Sequence, residues 1–319
     1  MQEIGLLTLR GRDVIHVRDF TKKEIDRLLE LTDEFDQMCR KGMKSKMAEG
    51  KILATLFYSP STRTQFAFQA AMARLGGSNI GWAGTAGTSH EKGEEYTDGL
   101  RMMEKFADLI AIRHPQENAT QTAADVVGVP VINCGDGDNQ HPTQCFLEVY
   151  AIKKLRGEIK GFNVSVMGDL LHMRVAHSLV YGLAMYGANI ILVSPRELML
   201  PEEITKELKE KYNAKIQLME VDEAIAASDV LYIMPMMEYR FKGEEKAMFE
   251  RFKNAYHISL DTLKKAGAKQ DLLILAPLPR LDELARDIDE TRYQGYFKMY
   301  EYAVPSKMAV LASILGLTD

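Results

Sequence analysis

The chain has 319 residues, 46% hydrophobic and 27% charged, which is the balance of an ordinary globular protein of about two domains and excludes a disordered or fibrous one. Its 45 acids exceed its 40 bases, giving a formal charge of −5, so no basic field exists to hold a nucleic-acid backbone. Cys39, Cys134 and Cys145 are too few and too scattered for a disulfide framework and form no CxxC pair for zinc, which points to a reducing cytoplasm. No stretch approaches the ~18 uncharged apolar residues of a membrane span, and Met1 to Asp19 lacks the apolar run of an export signal.

Apolar runs bounded by Gly and Pro alternate with longer helical patterns, which predicts an α/β fold of β-α units with mostly parallel sheets. Thr21 opens a helix through Ile25, Leu28, Leu29 and Leu31, and Lys51 to Tyr58 reads as a buried strand. Ser59 to Thr64 is the loop after it. Gln65 to Leu75 returns to helix and ends at Gly76-Gly77. Residues 81 to 94, rich in Gly, Thr, Ser and charge, read as a mobile surface loop before a helix over Tyr96 to Ala107. Strands follow at Leu109 to Ile112 and Val129 to Asn133. After the polar loop Gly135 to Gln140, Pro142-Thr143 starts a helix through Leu147, Tyr150, Ala151 and Leu155, the candidate bridge between the domains.

The second half repeats the logic with strand Asn163 to Met167, turn Gly168-Asp169, helix Met173 to Tyr186 and strand Asn189 to Val193, a β-α-β unit. Later strands are expected at Val230 to Met234 and Leu272 to Leu275, and an apolar helix near Lys307 to Leu315 closes the chain.

Ser61-Thr62-Arg63-Thr64 gathers three hydroxyls, a guanidinium and helix-start N–H groups at one turn, where the dipole also favours negative charge; phosphate is the natural guest, unless the hydroxyls merely cap the helix. His141 and Gln144, three residues apart at another helix start, can turn toward one ligand, and an imidazole there can donate to a carbonyl oxygen as charge builds on it; a capping or buried His is the alternative. Arg113 ends an apolar strand, the edge where ligands sit in open α/β sheets, although a strand-end Arg is often simply exposed. Gly168-Asp169 with Arg174 and His177 is not G-x-G-x-x-G, so a nicotinamide dinucleotide is poorly supported. No nucleophile elbow and no H-E-x-x-H appears.

These segments together resemble the aspartate and ornithine carbamoyltransferase family, on the aspartate side, nearly end to end. The resemblance rests on Phe57-Tyr58-Ser59-Pro60-Ser61-Thr62-Arg63-Thr64, Ala71-Met72-Ala73-Arg74-Leu75-Gly76-Gly77, Glu91-Lys92-Gly93-Glu94, Arg113-His114-Pro115, His141-Pro142-Thr143-Gln144, Gly168-Asp169-Leu170 with Arg174 and His177-Ser178-Leu179, and Pro277-Leu278-Pro279-Arg280. It implies a carbamoyl phosphate-binding domain over 1–142, with a C-terminal helix over 303–319 packing back on it, and an amino-acid-binding domain over 143–302. Helices join the two, and the site lies in the cleft. By motif, Ser61, Thr62, Arg63, Thr64 and Arg113 would hold the phosphate. His141, with Arg63 and Thr64, would polarise the carbamoyl oxygen, and Gln144 with the carbonyls of Pro277 and Leu278 would hold the carbamoyl NH2. Arg174 and Lys92 would bind carboxylates of the amino acid. Thr88, Ser89 and Lys92 would reach a neighbouring subunit's site, which implies a homotrimer at least, with a regulatory chain as a further possible partner.

The implied reaction transfers the carbamoyl group of carbamoyl phosphate to L-aspartate in the cytoplasm, for pyrimidine synthesis, with no cofactor, metal, nucleic acid or membrane involved. Departures from the aspartate pattern are Pro235-Met236-Met237 in place of Arg-x-Gln, Gln65 in place of a second Arg, and Ala276 in place of His. Loss of a charge-assisted contact to a carboxylate typically costs ~1.5–3 kcal/mol. Either another cation such as Arg240 replaces it, or the acceptor is a different, less anionic amine. A third alternative is an inactive homologue serving as a structural or regulatory subunit.

Overall fold

A computed structural model describes residues 9–238, 249–250, 252–253 and 255–318. The chain divides into two compact units, Met1–Tyr150 with Glu301–Asp319 and Ala151–Tyr300. The first is built on four parallel strands, β1 (Ile52–Phe57), β2 (Ser78–Ala83), β3 (Leu109–His114) and β4 (Val131–Asp136), ordered β2-β1-β3-β4. α1 (Lys22–Arg40) precedes β1, and α2 (Thr62–Arg74), α3 (Tyr96–Met103) and α4 (Ala119–Val126) run between successive strands. Leu53, Leu56, Ile110, Ile112, Val131 and Ile132 are buried, as expected of a parallel sheet covered on both faces. α5 (Pro142–Arg156) begins in the first unit and ends in the second.

The second unit has five parallel strands, β5 (Asn163–Met167), β6 (Asn189–Val193), β7 (Lys215–Leu218), β8 (Val230–Ile233) and β9 (Leu273–Leu275), ordered β7-β6-β5-β8-β9. Its helices are α6 (Arg174–Met185), α7 (Glu202–Tyr212), α8 (Val221–Ala227), α9 (Leu260–Lys265) and α10 (Tyr296–Glu301). α11 (Ala303–Ile314) belongs to the first unit, where it packs on α1 and α2.

Several expectations need correction. α2 starts at Thr62 rather than Gln65, so the polar run Thr62-Arg63-Thr64 is the first helical turn and not loop. Residues 81 to 94 are not wholly loop. The edge strand β2 runs to Ala83 and a 3-10 turn spans Ser89–Lys92; in β2 only Asn79 and Trp82 are half-buried and the rest is exposed, so it lacks an apolar run. Gly81 is required there, because an added Cβ would lie 2.1 Å from the Thr55 carbonyl oxygen. Arg240 falls outside the described residues, whereas Pro235-Met236-Met237 lies within them.

Gly168 follows β5 at φ +121°, and a Cβ on it would stand 2.3 Å from the carbonyl oxygen of Met234, a backbone atom that cannot swing aside. Gly168→Ala is expected to cost about 3 kcal/mol or more, whereas Gly84→Ala, with positive φ but open space around it, should cost only about 1 kcal/mol. Urea unfolding midpoints of the two variants check the contrast.

Candidate active site

Parallel strands deliver all their C-terminal ends to one edge, and in the first unit β1, β3 and β4 are adjacent there. Phe57 is level with Arg113 across the β1–β3 pair, and the Tyr58 N–H donates to the Arg113 carbonyl at 2.8 Å. The segments after β1, β3 and β4 therefore bring Ser61–Thr64, Arg113 and His141–Gln144 to the same edge.

Ser61 is the N-cap of α2 in extended conformation (φ −158°), yet its hydroxyl makes no capping hydrogen bond. The capping explanation of the hydroxyl cluster therefore fails for Ser61. The first-turn N–H groups of α2 have no partner within the helix, and Thr62 and Arg63 are exposed. An anion can be met there by backbone N–H, hydroxyls and the helix dipole together. Arg113 is half-buried, its Nη1 donating to the Cys134 carbonyl of β4 at 3.2 Å.

His141 is the residue before α5 rather than part of its first turn. Its carbonyl accepts from the N–H groups of Gln144 (3.0 Å) and Cys145 (3.2 Å), and the residue is buried. Gln144 donates its side-chain amide to Glu148 Oε1 at 2.9 Å, one helical turn on. With that NH2 engaged, the amide oxygen is the group left to accept from a ligand.

Asp136, which the sequence reading missed, organises the loop that leads to His141. It is fully buried at the end of β4. Its carboxylate accepts from Thr120 Oγ1 (3.1 Å), Asn133 Nδ2 (2.8 Å), Asn139 Nδ2 (3.1 Å) and the Gln140 N–H (3.3 Å). An acid at a strand end between two glycines was the available signal. Glu148 and Lys307, both buried beside the His141–Gln144 segment, were likewise missed.

Thr88 and Ser89 line a cavity of about 560 Å³ with Tyr58, Trp82, His90 and Tyr96, while Lys92 is exposed on the same 3-10 turn. Burial raises the Tyr58 hydroxyl to about 12 and lowers His114, which stacks on Tyr58 with ring centroids 4.9 Å apart. Gln65 donates to the Trp82 carbonyl at 3.0 Å and so ties α2 to β2.

In the second unit β5, β8 and β9 are adjacent, and their C-terminal ends carry Gly168-Asp169, Met234 to Glu238, and Ala276 to Arg280. Buried Asp169 accepts from the His172 N–H at 3.0 Å, and half-buried Arg174 opens α6 two residues later. The Pro277 carbonyl accepts from the Tyr300 hydroxyl. Leu278 stands at φ +44°, and Arg280 is held by Asp289, with Nη2 to Oδ2 at 2.6 Å. Met236 packs with Leu198, Phe249 and Phe252, and Ala276 is core. Among the described residues there is no cluster of His, Cys, Asp and Glu able to hold a metal, and no helix long and apolar enough to cross a membrane.

Asp136→Ala would leave the buried Thr120 hydroxyl and Asn133 amide short of an acceptor. It is expected to cost about 3 kcal/mol or more, read as a lower urea midpoint.

Residues 12–154 match the family described as aspartate/ornithine carbamoyltransferase, carbamoyl-P binding domain, and residues 160–314 match its Asp/Orn binding domain. The aspartate carbamoyltransferase catalytic subunit of Methanopyrus kandleri is 44% identical over 96% of this chain and 98% of its own length. That of Thermococcus kodakarensis is 42% identical over 97% and 98%. Among solved structures, aspartate transcarbamoylase from Trypanosoma cruzi in complex with carbamoyl phosphate and aspartate superposes with a TM-score of 0.90 at 29% identity, covering 96% of this chain and 98% of that one. The catalytic subunit from M. jannaschii gives 0.85 at 37% identity, covering 96% and 98%. Agreement over both halves, in order and nearly end to end, makes this chain a member of the aspartate/ornithine carbamoyltransferase family.

Proposed function

We propose that the chain transfers the carbamoyl group of carbamoyl phosphate to the amino group of L-aspartate, releasing phosphate and N-carbamoyl-L-aspartate, the step that feeds pyrimidine synthesis. The observation that carries this reading is the exposed start of α2, where the Ser61 hydroxyl is unused as a cap beside Arg63 and level with the strand end that bears Arg113. Ser61, Thr62, Arg63, Thr64 and Arg113 would hold the phosphate. Gln144, its NH2 committed to Glu148, would accept from the carbamoyl NH2 together with the carbonyls of Pro277 and Leu278. Arg174 and Lys92 would bind the carboxylates of the amino acid.

The uncharged amine attacks the carbonyl carbon, negative charge grows on the carbonyl oxygen, and the C–O bond to phosphate breaks as the departing phosphate takes up the proton that the attacking nitrogen loses. Donors fixed before the reaction stabilise that charge without reorganising, so Arg63, Thr64 and His141 carry the rate. No side chain need form a covalent intermediate.

The assembly that goes with this reading is a homotrimer at least, in which Thr88, Ser89 and Lys92 reach a neighbour's site. Relatives bearing the name catalytic subunit support its association with further chains. A cytoplasmic location is supported by three cysteines that are thiols.

Pro235 and Met237, standing where aspartate enzymes carry Arg and Gln, favour a second reading with a less anionic amine acceptor. Saturable turnover of aspartate in an acceptor screen retires it.

Arg63→Ala is expected to lower turnover on the order of 10²-fold while changing carbamoyl phosphate binding far less, because the guanidinium serves charge that develops during the reaction. Steady-state assays of phosphate release with aspartate test this, and near-normal turnover would overturn the role.

A further inference from the structure

α11 is apolar almost throughout, yet it buries one ammonium. Lys307 is 2% exposed, and its Nζ donates to the backbone carbonyl of Thr143 in the first turn of α5, 164 residues away in sequence. Among the described residues no carboxylate lies within ion-pair distance of it. Taking an ammonium out of water without a close anion is costly, so its place needs a reason.

The surroundings supply one. Glu148 on α5 is the carboxylate whose charge acts on Lys307, and burial outweighs it, lowering the ammonium to about 8; the Cys134 thiol of β4 beside it is itself pushed up to about 12 by burial and is neutral. The Phe68 ring of α2 lies 5.9 Å from Nζ. Arg113 reaches the same strand, donating to the Cys134 carbonyl, so two cations of distant origin converge on Cys134 behind the edge that carries His141 and Gln144. The N-terminus of α5 adds positive potential of its own. Such an accumulation of positive charge destabilises the empty protein and is relieved when an anion binds.

We infer that Lys307 is a positioning residue for the carbamoyl phosphate site. Its ammonium pins the first turn of α5 through the Thr143 carbonyl, offsets the Glu148 carboxylate that orients Gln144, and adds long-range attraction for the dianion. The inference rests on the carbamoyl phosphate reading given above. Lys307 touches no reacting atom in this account. It acts through α5.

Three variants separate the contributions. Lys307→Met removes both the hydrogen bond and the charge, Lys307→Gln removes the charge but keeps a donor, and Lys307→Arg keeps both. Steady-state kinetics give KM for carbamoyl phosphate, KM for aspartate and kcat, and calorimetric titration with inorganic phosphate reports anion affinity without needing turnover. Lys307→Met should raise the carbamoyl phosphate KM and the phosphate dissociation constant about tenfold, leave the aspartate KM within about twofold, and be rescued by Lys307→Arg. Unchanged affinity for both anions in Lys307→Met overturns the inference, as does an equal loss in every parameter that Lys307→Arg fails to recover. Should the Met variant not fold, the Gln and Arg variants decide: weaker phosphate binding in Gln alone supports the inference, and wild-type affinity in both overturns it. Absence of carbamoyl transfer by the wild-type protein would retire the functional reading instead, and phosphate titration would still judge Lys307.

Discussion

Four hydrogen bonds converge on the carboxylate of Asp136, and the geometry of the first unit depends on them. A parallel sheet brings the ends of β1, β3 and β4 to one edge, but it does not say where the chain goes next. After β4 the backbone must turn within a few residues and begin α5 with His141 at its threshold. Asp136 makes that turn by satisfying Asn133 behind it, Asn139 and Gln140 ahead of it, and Thr120 on the neighbouring helix. Asp136, Thr120 and Asn133 are fully buried, so the bonds among them are worth more than they would be on the surface, while Asn139 is half-buried at the outer side of the network. The path of the chain to His141 is thus set by a fully buried carboxylate behind it.

The same division between groups that hold and groups that act recurs through the molecule. Gln65 fastens α2 to β2, while the Ser61 hydroxyl at the helix start makes no capping hydrogen bond. Glu148 occupies one end of the Gln144 amide, so that the other end is defined. In the second unit Asp169 ties down the turn that precedes Arg174, and Asp289 does the same for Arg280 after the Pro277-Leu278 segment. Electrostatic catalysis requires donors that are already in place when charge develops, and partners of this kind hold a side chain in place beforehand.

What the sequence discloses is local. Strands such as Asn163–Met167 and Asn189–Val193 are legible residue for residue because they are short apolar runs between turn signals, and the turn Ser61 to Thr64, to which we assign the phosphate, stands out because its residue types are unusual together. β2 is not, since an edge strand of Ser, Asn, Ile, Gly, Trp and Ala has neither an apolar run nor a clean alternation. The start of α2 is misplaced by three residues because hydroxyls that look like loop chemistry belong to a first turn. α4 and the α7-β7-α8 stretch, short and amphipathic, give little signal of their own. Asp136, Glu148 and Lys307 are illegible for another reason: each is a charged residue type that ordinarily faces water, and only the fold buries it, for Lys307 against a carbonyl 164 residues away.

The central claim is that a dianion seats against the start of α2 within reach of the imidazole at the start of α5. A crystal structure of this protein with N-(phosphonacetyl)-L-aspartate, a ligand bound by the Trypanosoma cruzi relative, tests it most directly. The account predicts the phosphonate oxygens on the N–H and hydroxyl groups of Ser61 to Thr64 and on Arg113, with the amide carbonyl oxygen against His141. A phosphonate seated elsewhere, or a bound analogue with His141 turned away from its carbonyl, would contradict it.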